Sequence, residues 1–167
     1  SLVSPQESGE DRHREVSEER ELVELKNKME FIFPVTVSVF VLMMWDIFAR
    51  IAAWVPNVPI PMALFNTISM VLATISLFWV GKPYLLGVAR FIRHGVANMD
   101  TLIGIGTLTA YAYSVLITLL PVFGTLLRVP EYTYFDVVIV VTGFVTFGKY
   151  LEARSKKKTG DAVEKLL

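Results

Sequence analysis

There is no cysteine in the 167 residues. Disulfides are therefore excluded, and so is any metal site built on thiolate ligands. A secretory leader is missing as well: the first 30 residues are polar, with no short apolar core before a small-residue cleavage site. Nor is there an excess of charge of either sign, since 16 Lys and Arg balance 16 Asp and Glu. That balance conceals a segregation, because nine of the acidic residues lie between Glu7 and Glu30, ahead of the apolar part.

What remains is strongly apolar, at 53% hydrophobic residues and a mean hydropathy of +0.52. Four long stretches dominate, at 31–53, 60–80, 99–120 and 134–151. Crossing about 30 Å of hydrocarbon takes about 20 helical residues, so each stretch reads as a membrane span. A soluble bundle would place polar residues at every turn of each helix. Backbone polar groups in lipid must be satisfied internally, and no barrel-like alternation is present, so the spans are helices. The expected fold is an all-α membrane protein with four transmembrane helices. The chain starts at Ser1 without an initiator Met and stops at Leu167 inside an apparent helix, which reads as a fragment of a longer protein.

Three regions follow: a charged lead-in at 1–30, a transmembrane region at 31–152, and a basic stretch at 153–167. The lead-in segment EERELVELKNKME favours helix and reads as a solvated tail entering the first span. Lysine and arginine near span ends set orientation. One side holds Arg12, Arg14, Arg20, Lys26, Lys28, Lys82, Arg90, Arg93, Arg154, Lys156, Lys157, Lys158 and Lys165; the other holds Arg50 and Arg128. Thirteen against two places both termini and the middle connector in the cytoplasm. Trp45, Trp54, Trp79, Tyr84, Tyr132 and Tyr134 fall near the expected interfaces. Asp46 and Arg50 are four apart and are expected to pair locally.

The middle connector differs from the other two. Gly81-Lys82-Pro83 is expected to end or kink the second span. From there to residue 95, Tyr84, Leu85, Val88, Phe91 and Ile92 recur at helical spacing against Lys82, Arg90, Arg93 and His94. This is an amphipathic helix in the membrane plane, read either as a lipid anchor or as a basic landing platform. Ionisable residues inside spans are costly and mark pathways. Asp136 and Glu152 are 16 residues apart on the fourth span, hence about 24 Å at helical rise, one at each mouth. Met99 begins the third span at the depth of Glu152, and a thioether suits soft cations such as Cu(I). Asp100 reads as an N-cap or first-turn acid. Gly104, Gly106, Gly143 and Gly148 read as helix-packing positions.

Taken together, Gly81–Leu167 resembles the heavy-metal-transporting P-type ATPases, and within them the copper-exporting branch. NMDTLIGIGTLTAYAYS is similar to that family's third membrane helix, and YFDVVIVVTGFVTFGKYLEARSKKKTGDAVEKLL to its fourth. GKPYLLGVARFIRHG is similar to its kinked second helix and cytoplasmic platform, although many relatives have two glycines where this chain has Gly81 and Lys82. The resemblance implies that Met99 and Glu152 form an ion entry site. It also implies that Asp136 stands in for an exit-path Glu, and that Gly81, Lys82, Pro83, Arg90 and Arg93 belong to a docking platform for a soluble copper chaperone. The implied cargo is Cu(I), exported across a prokaryotic plasma membrane. ATP and Mg would act through further domains of the same polypeptide. The Cys-Pro-Cys site, the phosphorylated aspartate motif and most of the actuator domain are absent from this chain, which by itself would neither hydrolyse ATP nor pump. No nucleic-acid partner is implied. Zinc or cadmium is the alternative cargo, and a self-contained four-span transporter or scaffold is the alternative outside the family.

Overall fold

A computed structural model describes residues 5–52, 62–122, 124 and 132–164. Among these the regular structure is entirely helical. The proline-rich turn at 55–61, Trp54, Arg128 and Lys165 lie outside the described residues, as do the ends of the expected first two spans at 53, 60 and 61.

The first helix, α1, runs unbroken over Pro5–Ile51, so the acidic lead-in and the first apolar stretch form one rod. Its 47 residues extend about 70 Å at helical rise, roughly twice the hydrocarbon thickness, which leaves the acidic half outside lipid. That half is laced by Glu24–Lys28 at 2.7 Å and Lys26–Glu30 at 3.8 Å, and the far end by Asp46–Arg50 at 2.9 Å, as expected. Helix α2, Met62–Ile75, passes into a π-helical turn at Ser76–Val80 and then into α3, Lys82–His94. Helix α4 spans Met99–Leu119 and α5 spans Phe135–Glu164.

By length and composition, α1 and α4 can each cross a membrane, and α2 with α3 would make a third crossing if that bent pair is one span. Helix α5 falls outside this group because its apolar stretch also carries Asp136, Lys149 and Glu152.

Helix α5 is the centre of the assembly. Its longest seam is with α1. Gly143 permits it, since a Cβ there would run into the Thr36 side chain. Phe33–Phe147, tilted, and Phe40–Phe144, edge-to-face, then pack along the seam at 5.1 and 5.7 Å between ring centres. On another face Phe135, Val138 and Ile139 bury against Ala73 and Leu77 of the α2 segment, forming the dry core.

The bend at Gly81 is the other organising feature. The α2 and α3 segments diverge by 66°. The π-turn closes with Gly81 N–H donating to the Ser76 carbonyl at 2.8 Å, a local widening that frees the chain to turn. A Cβ on Gly81 would lie 2.5 Å from the Leu77 carbonyl oxygen, so glycine is needed. Pro83 sits in the first turn of α3, where its missing N–H has no partner to lose. Gly95, with φ at 68°, ends α3 in the left-handed conformation. Asn98 then caps α4: its side chain accepts from Thr101 N–H at 3.0 Å, and Thr101 reciprocates at 3.2 Å.

Helix α3 lies against α4 through small residues. A Cβ on Gly104 would meet the Tyr84 carbonyl, and Gly87 closely faces the Thr101 backbone. Gly106 and Gly148, expected to pack as well, face open space instead.

Candidate functional site

The expected site residues lie on α3, at the start of α4, and at the start and the middle of α5. The start of α4 and the middle of α5 are joined by an ion pair between Asp100 and Lys149. Both side chains are about one-quarter exposed, at 26% and 28%. The Lys149 ammonium also lies 5.1 Å from the centre of the Tyr84 ring, a cation–π position. Tyr84 was expected at the membrane interface but is buried at 1% exposure. Its hydroxyl is 3.1 Å from Thr146 Oγ1, which itself donates to the Thr142 carbonyl at 2.7 Å. Three helices are thereby tied at one level: α3 by Tyr84, α4 by Asp100, and α5 by Thr146 and Lys149.

Met99 and Glu152 flank this cluster. Met99 precedes Asp100 and is 64% exposed. Glu152 follows Lys149 by three residues, close to one helical turn on the same face. Its carboxylate pairs with Lys156 at 2.7 Å, with side chains 63% and 76% exposed. No hydrogen bond or ion pair joins Met99 to Glu152 among the described residues. No group of three or more His, Cys, Asp or Glu side chains gathers there either.

Asp100 resolves as a first-turn acid, since Asn98 is the cap. Asp136 lies at the opposite end of α5, half-buried in its first turn, where its carboxylate accepts from the Val137 N–H at 2.9 Å. Nearby, Tyr134 N–H donates to Ser114 Oγ at 2.7 Å, and Thr133 donates to Asn66 at 3.2 Å. On α3, Lys82, Arg90 and Arg93 are all exposed, and none has an ion-pair partner among the described residues.

Lys149 is the residue that sequence reasoning passed over. The signal was present: a lone cation inside an apolar stretch requires a partner, and Asp100 is the acid at the matching depth.

The alignment decides between these features and a generic helical bundle. Over 99% of its length the chain is 30% identical to the copper-exporting P-type ATPase of Staphylococcus haemolyticus. The family is that of the copper-transporting P-type ATPases, of which this chain matches one segment. It is 37% identical over 64% of its length to the cation-transporting ATPase HMA5 of Oryza sativa, and 38% identical over 58% to the probable copper-transporting ATPase PacS of Synechocystis. These alignments cover 19%, 10% and 13% of the respective relatives, so the chain spans less than a fifth of the ATPases it matches. No protein-family model matches the chain, and no solved structure does. The kinship and the apolar helices make this an integral membrane protein, one part of a P-type ATPase.

Proposed function

We propose that the chain is the N-terminal membrane portion of an ATP-driven Cu(I) exporter, with four helices crossing the bilayer and both termini in the cytoplasm. Met99 and Glu152 receive the ion at the cytoplasmic mouth, and Asp136 lies on its way out. Lys82, Arg90 and Arg93 on α3, set at an angle by Gly81 and Pro83, form the docking face for an acidic, soluble copper donor. ATP hydrolysis belongs to domains of the complete protein. What supports this reading is the ion pair between Asp100 and Lys149, which joins the start of the helix that begins at Met99 to the helix that carries Glu152.

The chemistry of that mouth favours transit. A thioether selects soft cations, and an exposed carboxylate attracts any cation. A pair with no third strong ligand releases what it captures. Zinc or cadmium, which favour imidazole, thiolate and carboxylate donors, gain little from the Met99 thioether.

In the complete protein, Cu(I)-driven ATP hydrolysis should exceed that driven by Zn(II) or Cd(II). Met99→Ala and Glu152→Gln should each raise the Cu(I) concentration needed for half-maximal rate. Equal stimulation by Zn(II), or an unchanged Cu(I) dependence in both variants, would remove the cargo assignment or the entry assignment respectively.

A further inference from the structure

We infer that Asp100 is a positioning residue that holds the Lys149 ammonium away from Glu152, keeping that carboxylate open to an incoming cation. The inference rests on the proposed entry role of Met99 and Glu152 and adds two residues to which no role is assigned there.

The argument starts from competition. Glu152 has two lysines on its own helix within reach, Lys149 three residues before it and Lys156 four residues after. Both are tethered cations that can occupy the carboxylate in place of a metal ion. Lys156 occupies it at rest, but that pair is exposed on both sides, screened by water, and therefore a weak barrier to a cation. Lys149 would be a stronger competitor. Only 28% of its side chain is exposed, and its ammonium is braced by the Tyr84 ring. Charges in such a partly desolvated setting interact more strongly than those in open water. Its present partner, Asp100, comes from a different helix, and the capping box of Asn98 and Thr101 fixes the turn that carries it. The pair directs the ammonium towards α4, so the site keeps one loose lysine and one restrained lysine.

The charges dictate opposite signs for the two single variants. In Asp100→Asn the ammonium loses its anion, and Glu152 is the neighbouring carboxylate on its own helix, so cation entry weakens. In Lys149→Met the competitor is gone and Asp100 adds an uncompensated negative charge beside Met99, so entry strengthens. Removing both restores the balance. A purely structural cross-link predicts something else: both single variants impaired alike, and the double variant no better.

The test is the Cu(I) dependence of ATP hydrolysis in the complete protein, with free Cu(I) set by a competing chelator. Asp100→Asn should raise KM roughly fivefold or more with kcat little changed, the size of one partly screened charge. Lys149→Met should lower KM, and the double variant should return it close to the unsubstituted protein. Asp100→Glu, which retains the anion, should stay near the starting value, and the thermal unfolding midpoint of each variant identifies any that are merely misfolded. A double variant as impaired as Asp100→Asn, or an Asp100→Asn variant that folds and has an unchanged KM, overturns the inference. If Met99→Ala and Glu152→Gln also leave KM unchanged, the entry reading itself has failed; if they raise it, the failure is confined to Asp100 and Lys149.

Discussion

Two carboxylates of α5, Glu152 and Asp136, stand in different company. Glu152 lies among charges: Lys156 on it, Lys149 a turn away, and Asp100 drawing Lys149 aside. Asp136, at the other end of the same helix, has no ion-pair partner among the described residues and is satisfied by the backbone N–H of Val137. A carboxylate surrounded by exchangeable cations is suited to capture, because a new cation replaces one already present at little net cost in charge. A carboxylate in the first turn of a helix is met by a backbone N–H instead of a competing cation. One helix thus offers two kinds of acid, and the difference comes from their neighbours.

The strongest way to break this comparison is to remove the seam on which α5 hangs. Gly143→Leu places a side chain where Thr36 already stands. It should destabilise the protein by roughly 3 kcal/mol or more, read as loss of folded protein in detergent and as a lowered unfolding midpoint. Both ends should fail together. Next in size, Glu152→Gln should raise the KM for Cu(I) on the order of tenfold. Asp136→Asn should lower kcat with KM nearly unchanged. Matching KM effects in steady-state assays of the two variants would erase the distinction between the ends.

Smaller effects sharpen the picture. Tyr84→Phe keeps the ring under Lys149 and removes only the hydroxyl facing Thr146, whose own donation to Thr142 survives. A cost of about 1 kcal/mol in unfolding is expected, with KM unchanged. The smallest effect belongs to the extension beyond the membrane, where Lys157 donates to Glu19 at 2.8 Å and joins α5 to α1. Lys157 holds the Glu19 carboxyl below its usual value, as Lys28 does for Glu24. A lowered folded-state pKa means the contribution is present at neutral pH and is lost as pH falls through the carboxylate range. Acidification should therefore loosen this helical pair first, seen as faster amide exchange in α1 before Ile32, while exchange around Val138 and Ile139 stays slow.

Much of this was legible without coordinates. The Gly81–Pro83 bend, the basic residues of α3 and the Asp46–Arg50 pair all come from local spacing and stand where they were expected, whereas of the four expected spans α1 and α4 are long and apolar enough by themselves, with α2 and α3 as a bent third. The lead-in proved to be continuous with the first apolar helix, because nothing between Glu30 and Phe31 breaks a helix and Pro34 is accommodated inside it. Other assignments failed for one shared reason. Tyr84 resembles any interfacial aromatic until Thr146 and Lys149 of α5 meet its hydroxyl and ring, and Gly106 resembles Gly104 until only one of them meets a neighbouring helix.

The order of residues alone settled that this chain is helical, belongs in a lipid bilayer, and carries acids 16 residues apart along its last apolar stretch, because hydrophobic length and helical rise are properties of a single segment. Which lysine faces which carboxylate was decided only when α3, α4 and α5 came together. Electrostatic pairing depends on separations of a few ångströms between segments about 50 residues apart in the chain, so the need of Lys149 for a partner was local while the choice of Asp100 was tertiary.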